Sequence, residues 1–405
     1  MRFAIHVFGC RLNQAEAAEW RAALEAHGWQ SVAPEKAALI AIHSCAVTET
    51  AVQEVRRMIR LFRQKYPLAK LILSGCAAGL IEASLVDGMI PHAEKASWVA
   101  RVLALEPTVV APVVKSRPKT RASLIVQDGC DQFCAYCIVP YMRGKPTSEP
   151  MSQLLKQAEA LFAEGYQEIV LTGCHLALYR DPETGAGLLT LLQRLAEVKG
   201  TGRFRLSSLE PGLLDDRALV DFIADARERF CAFLHLPLQT GSDTLLKAMG
   251  RRYTVKDVRG LLDHIVNRLP LAGLGADWIV GLPGETDADA QATCDLVEAY
   301  PFTGAHIFPY SRRPGTAAAD FPHHVPQHLQ HARVQQLTAL ANAKREALMP
   351  RYLGRDLFVI PERQREGFWE GWSAERLRCR LPAEAVRGVG QVFRPTHYAN
   401  GIFHA

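Results

Sequence analysis

Asp128-Gly129-Cys130-Asp131-Gln132-Phe133-Cys134-Ala135-Tyr136-Cys137 decides how this chain is read. Cys130, Cys134 and Cys137 stand in a C-x3-C-x2-C pattern, and three thiolates on one short loop can hold three corners of an iron–sulfur cubane. Ordinary four-cysteine ligation fills all four corners; here one iron stays open to a small chelating ligand. S-Adenosylmethionine, with an amino and a carboxylate group on one carbon, exploits such a vacancy in radical chemistry. Structural zinc is the alternative, but tetrahedral zinc sites usually pair two cysteine or histidine knuckles, and no second knuckle lies nearby in the sequence.

The loop resembles that of the radical S-adenosylmethionine superfamily, in which an aromatic residue before the third cysteine is usual; Tyr136 fills that place. The chain has 405 residues, which predicts two to three domains. Its 48% hydrophobic and 22% charged residues are ordinary for a globular protein. No apolar run is long enough for a membrane span, and Met1-Arg2-Phe3-Ala4-Ile5-His6-Val7 reads as a first strand, not a secretory leader. Ten cysteines in such a chain argue for metal or redox use, and a cytoplasmic location is expected. The net charge of +5 hints at an anionic partner and no more.

Up to about residue 110 the chain alternates short apolar runs with helical stretches. Phe3–Phe8, Ala38–Ile42 and Lys70–Leu73 are candidate strands, and residues 13–27, 50–65 and 93–105 carry helical periodicity. A small Rossmann-like α/β unit with a parallel sheet follows. Each strand runs into a cysteine: Phe8-Gly9-Cys10, His43-Ser44-Cys45 and Ser74-Gly75-Cys76. Carboxyl ends of parallel strands share one crevice, so Cys10, Cys45 and Cys76 should converge there. One free cysteine is commonly a small buried hydrophobe, but three at equivalent strand ends favour a second cluster. Gly9-Cys10-Arg11-Leu12-Asn13-Gln14-Ala15-Glu16 and Ser44-Cys45-Ala46-Val47-Thr48 resemble the N-terminal domain of the methylthiotransferase family, whose three cysteines hold an auxiliary cluster. His43 departs from the asparagine usual there, and the segment around Cys76 lacks an aromatic that often follows.

From about 122 to 345 a strand, loop and helix pattern repeats six times. The candidate strands are Ala122–Gln127, Glu168–Leu171, Phe204–Ser207, Ala232–Leu236, Gly275–Val280 and Ala305–Phe308. Helical stretches lie near 150–164, 187–198, 214–229, 243–268 (broken at Gly250) and 286–299. A partial TIM-type (β/α)6 barrel is expected, with its polar groups at the carboxyl ends of the strands. The segments Leu171-Thr172-Gly173, Ser207-Ser208-Leu209-Glu210-Pro211, Leu236-Pro237-Leu238-Gln239-Thr240-Gly241-Ser242, Ala276-Asp277-Trp278-Ile279-Val280-Gly281-Leu282-Pro283-Gly284-Glu285-Thr286 and Phe308-Pro309-Tyr310-Ser311 resemble methylthiotransferases. That resemblance implies that Tyr136, Thr172, Gly173, Ser207, Glu210, Gln239, Asp277 and Gly281 contact the cofactor. No side chain is singled out as catalytic. Cys174, Cys231, Cys294 and Cys379 are read as unligated thiols. After Tyr141 the family's arginine-rich stretch is reduced to Arg143 and Lys145, which weakens any reading of how RNA sits over the cluster.

Residues 351–405 change character, and a small β-barrel is expected. Nine arginines face six acids there, with Phe368, Trp369, Trp372, Phe393, His397 and Tyr398 among them. Arginine for phosphate and aromatics for unstacked bases is the chemistry of single-stranded RNA recognition; a solvated surface over core aromatics is the alternative. The tail resembles the family's TRAM domain. Arg56, Arg60 and Arg63 share one face of the helix at 50–65, which reads first as a solvated face.

The expected organisation is thus 1–110, 122–345 and 351–405. The resemblance implies two [4Fe-4S] clusters, S-adenosyl-L-methionine, a flavodoxin- or ferredoxin-type electron donor and the tRNA anticodon stem-loop, with no membrane partner and no indication of the sulfur donor. The implied reaction adds a methylthio group to C2 of N6-threonylcarbamoyladenosine, as in the MtaB branch. Isopentenyladenosine in tRNA, or an aspartate of a ribosomal protein, is the alternative within the family. A non-catalytic metal-dependent RNA-binding protein is the alternative outside it.

Overall fold

The computed structural model describes residues 1–105, 120–212 and 216–405. The expected boundary at 110 and the expected helix start at 214 lie outside the described residues. Two compact units emerge, and neither is continuous in the chain. The first gathers Met1–Pro118, Asp128–Pro146 and Ser311–Ala319; the second gathers Lys119–Gln127, Thr147–Tyr310 and Asp320–Ala405.

The first unit is built on a five-stranded parallel sheet in the order Gln30–Ser31, Arg2–Val7, Leu39–Ser44, Lys70–Gly75, Gly88–Pro91. Leu39-Ile40-Ala41-Ile42 is buried throughout, as a central parallel strand covered on both faces should be. The two short edge strands carry too little apolar pattern to be visible in the sequence. Helix Glu49–Lys65 starts at Thr48, whose Oγ1 accepts from the Ala51 amide at 3.1 Å. It presents Val52, Val55, Ile59 and Phe62 to Leu71 and Leu73 of the sheet. Trp20 and Trp98 stack 4.4 Å apart on the opposite face. The expected helix at 93–105 opens as a 3-10 segment, His92–Ser97, and is α-helical only over Trp98–Leu105.

Two later segments return to this unit through specific bonds. The Glu49 amide donates to Ser311 Oγ at 3.0 Å, Arg313 donates to the Glu49 carboxylate at 2.7 Å, and the Ala318 amide donates to the Ala135 carbonyl at 2.7 Å.

In the second unit six strands run parallel: Ala122–Ile125, Glu168–Thr172, Arg203–Leu206, Phe233–Gln239, Gly273–Val280 and Gly304–Pro309. They form two three-stranded sheets joined by the bridges Phe204–Phe230 and Ser208–His235, the arc expected of a (β/α)6 partial barrel. Leu234, Leu236, Leu274, Ala276, Trp278 and Val280 pack outward under the helices. The alternating positions His235, Asp277 and His306 therefore face the lumen. The expected long helix divides into Asp243–Ala248 and Val255–Arg268, with Gly250 in the break.

Residues 357–404 form a curled six-stranded sheet in the order Gln391–Phe393, Leu357–Arg365, Phe368–Ser373, Arg378–Leu381, Ile402–His404, His397–Ala399. One turn of this sheet seals the amino end of the strand arc. Arg205, buried inside the arc, donates to both Glu168 oxygens at 2.6 and 3.1 Å and to the Ser373 and Ala374 carbonyls at 3.1 Å. Among the described residues, no helix is long and apolar enough to cross a membrane.

Candidate cluster and cofactor site

Cys10, Cys45 and Cys76 follow three adjacent parallel strands, and the glycine before two of them brings the ends together. Gly9 has φ +92°, and a Cβ there would stand 2.6 Å from the Cys45 Cβ and 2.7 Å from its Sγ. Gly75 has φ +89°, and a Cβ there would stand 2.5 Å from the Ser44 carbonyl oxygen. Only glycine takes this backbone conformation with so little room. Cys45 and Cys76 are buried, whereas Cys10 is exposed. Burial pushes the Cys45 thiol up and the Cys76 thiol to about 11, with the neighbouring thiols adding to both shifts. Three neighbouring thiols, two buried and one open to solvent, are a donor set suited to a positively charged iron–sulfur core.

The second triad lies on one turn-rich loop of the same unit. The Cys137 amide donates to the Cys134 carbonyl at 2.8 Å, and the Cys130 amide to the Gly144 carbonyl at 3.0 Å, closing the loop at both ends. Phe133 takes φ +45° and is exposed beside Tyr141, ring centroids 5.4 Å apart. Among the described residues, two groups place three ligand atoms within 4.8 Å of one another, and neither contains a cysteine. One tetrahedral zinc would need its sulfurs about 3.8 Å apart. Neither cysteine triad brings all three of its sulfurs within 4.8 Å of one another, so neither is drawn together as that zinc would require.

The largest departure from the sequence reading is Arg143. The sequence marks it only as one of two basic residues, with Lys145, left of the family's arginine-rich stretch. Instead it is buried and spends its donors inside the unit. Nε donates to Cys76 Sγ at 3.2 Å. Nη1 reaches Glu16 at 3.1 Å and Asp128 at 2.8 Å, and Nη2 reaches Asn13 at 2.6 Å and Glu16 at 3.1 Å. Asn13 in turn donates to the Phe8 and Ser44 carbonyls at 3.0 and 2.9 Å. His43, the replacement for asparagine, is fully buried between Glu16 (3.0 Å) and Ser74 (3.1 Å). His92 contacts Asp128 at 3.1 Å, and Lys95 pairs with both Glu16 and Asp128. Burial by itself would raise the Glu16 and Asp128 carboxyls; His43, His92, Arg143 and Lys95 hold both well below the usual range. Glu16, His92 and Asp128 lie close enough for one metal ion, but the two cations already occupy that space. The one sequence sign of this hub was the i, i+3 pair Asn13 and Glu16 following Cys10.

The residues expected to meet the cofactor divide into several kinds. Tyr136 is half-buried within the cysteine loop. Thr172 turns its hydroxyl back to the Val170 carbonyl at 3.2 Å, while Gly173 lies against Gln127. Ser207 Oγ is buried with no hydrogen-bond partner among the described residues, an orphaned group that fits a polar ligand. Glu210 is held by His175 at 3.2 Å and by Arg251. Gln239 takes φ +69° and bonds the Pro237 carbonyl at 3.0 Å. Asp277 lies three residues before its strand ends and is gripped by His235 at 2.8 Å and His306 at 3.1 Å. Both imidazoles were missed in the sequence. A Cβ at Gly281 would meet Gln330 at 2.3 Å, whereas one at Gly284 would meet nothing within 4 Å. Gly281 is thus closed over by Gln330, and Gly284 lies exposed on the loop.

Burial raises the Glu168 and Glu210 carboxyls, but Arg205 and Arg121 at the first, and His175 and Arg251 at the second, hold each down to about 2. A depressed folded-state pKa contributes stability that is complete above the unfolded value and lost as pH falls toward the folded one. The melting temperature should therefore drop between pH 4.5 and 2, and Glu168→Gln should flatten that drop. A melting temperature independent of pH over this range would refute the assignment.

Cys231, Cys294 and Cys379 are buried, as unligated core thiols should be, and Cys174 is half-buried. In the tail, Phe393 is in the core, Tyr398 donates to Glu346 at 2.9 Å, and Arg351, Arg378, Arg380 and Arg394 are bonded within the second unit. Exposed Arg363, Arg365, Arg387 and Phe368 remain as candidate RNA contacts. Arg56 bonds the Leu80 carbonyl at 2.8 Å and Arg63 pairs with Asp87 at 2.9 Å, so that helix face is mostly committed to its own unit.

Known proteins resemble this chain over most of its length. Residues 124–297 match the Radical SAM superfamily, and residues 2–92 match the Uncharacterized protein family UPF0004. The chain is 34% identical to the threonylcarbamoyladenosine tRNA methylthiotransferase MtaB of Thermotoga maritima, with 88% of this chain and 86% of that one covered. It is 34% identical to the tRNA-2-methylthio-N(6)-dimethylallyladenosine synthase of Zymomonas mobilis, with 89% and 86% covered. In fold it resembles the radical S-adenosylmethionine methyltransferase TsrM of Kitasatospora setae, with TM-score 0.56, 16% identity and 78% and 76% covered. The cofactors of such a protein are [4Fe-4S] clusters and S-adenosyl-L-methionine, and its substrate class is tRNA. With two cysteine triads, a strand arc and relatives of this identity over most of its length, the chain belongs to the radical S-adenosylmethionine methylthiotransferase family and is an enzyme of that kind.

Proposed function

We propose that this enzyme adds a methylthio group to C2 of N6-threonylcarbamoyladenosine beside the tRNA anticodon. The observation carrying the reaction type is the pair of cysteine triads in one compact unit, Cys10/Cys45/Cys76 and Cys130/Cys134/Cys137. The cofactors supply a carbon-centred radical at one triad and sulfur for transfer at the other. The chain's own part is to hold the two sets of thiolates, to close the cysteine loop through Gly144, and to offer Ser207 Oγ to the cofactor. Relatives named MtaB support the threonylcarbamoyl substrate. The lumen-facing His235, Asp277 and His306 also suit a substituent bearing hydroxyl and carboxylate groups better than an apolar isopentenyl group.

In this reading 1–110 is the auxiliary-cluster domain, 122–345 the cofactor barrel, and 351–405 an RNA grip acting through Arg363, Arg365, Arg387 and Phe368. Electrons come from a flavodoxin- or ferredoxin-type donor. Nucleoside mass spectrometry after incubation of reconstituted enzyme with tRNA carrying either modified adenosine tests the substrate. Methylthiolated threonylcarbamoyladenosine is expected; product only from isopentenyladenosine would reverse the assignment.

A further inference from the structure

The segment that carries the radical-site cysteines also reaches the other triad, and a single guanidinium makes the connection. Asp128 lies two residues before Cys130 and Arg143 six residues after Cys137, and they bond each other at 2.8 Å. Arg143 is therefore at the base of the cysteine loop. Its Nε donates to the sulfur of Cys76, while its other nitrogens reach Asn13 and Glu16 on the helix that follows Cys10. We propose that Arg143 is the residue that sets the reduction potential of the Cys10/Cys45/Cys76 cluster and locks that cluster's protein ligands to the base of the radical-site loop.

The argument is electrostatic. A cluster gains negative charge on reduction, and much of it appears on the ligating sulfurs. An N–H donor on a thiolate stabilises the reduced form and raises the potential. A buried guanidinium does so more strongly than a neutral amide, because it carries charge in a site from which water is excluded. Its plane is fixed by Glu16, Asp128 and Asn13, which aims the Nε donor at Cys76. Lysine, with one rotatable ammonium, cannot serve sulfur, amide and two carboxylates together.

This inference rests on the reading that Cys10, Cys45 and Cys76 ligate a cluster. The test is a redox titration of anaerobically reconstituted full-length enzyme, followed by electron paramagnetic resonance. The Cys10/Cys45/Cys76→Ala variant identifies the signal of the remaining cluster. Arg143→Met should move the auxiliary midpoint to more negative potential with iron content retained, and Arg143→Lys should move it the same way by less. If Arg143→Met does not retain auxiliary iron, Arg143→Lys is the variant that decides. An auxiliary midpoint identical to wild type in the iron-replete variant overturns the proposal. Wild-type enzyme holding only about four irons would instead remove the auxiliary-cluster reading on which it depends.

Discussion

Cys134→Ala is expected to abolish 5′-deoxyadenosine formation and tRNA methylthiolation together. With two thiolates left on the loop, the cubane loses a corner and its open iron no longer has a fixed position. Cys10→Ala should behave differently. Cleavage of S-adenosylmethionine should stay measurable while methylthiolated nucleoside disappears, because the lost thiolate belongs to the strand-end set. Iron should fall from about eight to about four per chain when either triad is removed. Both products are assayed for both variants. Methylthiolated nucleoside at the wild-type level from either one would show that its cysteine has been given the wrong role.

The second large effect is one of stability. Arg205→Met leaves Glu168 buried with Arg121 as its remaining cation and strips the Ser373 and Ala374 carbonyls of their donor. Breaking a buried ion pair on one side typically costs about 3–5 kcal/mol. Chemical denaturation should show a loss of that size, and Arg205→Met with Glu168→Leu together should recover much of it. Deleting residues 351–405 would uncover the same pair, so lost tRNA binding in a truncated chain would not isolate an RNA grip. The triple variant Arg363→Ala, Arg365→Ala, Arg387→Ala does isolate it: unchanged melting with weaker, less salt-dependent tRNA binding is expected. Unchanged affinity would return those arginines to an ordinary solvated surface.

The parts legible in the sequence were those written in local pattern. Alternating apolar runs gave the parallel strands, and a cysteine after each of three of them gave the convergent set, because parallel strands share a carboxyl edge. The C-x3-C-x2-C loop needed no fold at all to be read. What escaped were residues whose roles depend on contacts distant in sequence. Arg143 looks like a surface arginine until Cys76, Glu16 and Asn13 close over it, separated from it by up to 130 positions. His235 and His306 are ordinary strand residues until register places both against Asp277. Phe393 was grouped with base-stacking aromatics because composition does not distinguish the two faces of a short strand.

The discontinuous first unit has a consequence for synthesis. Its second segment ends at residue 146, and its last, with Arg313 bonded to Glu49, is not complete until residue 319. A ribosome adding roughly 5–20 residues per second needs on the order of 10–35 s to cover that interval. Throughout it, all six cysteines of the two triads are already present in a nascent chain that still lacks the segment answering Glu49. Those thiols are therefore made well before the segment that bonds Glu49, and their unit can close only late in translation.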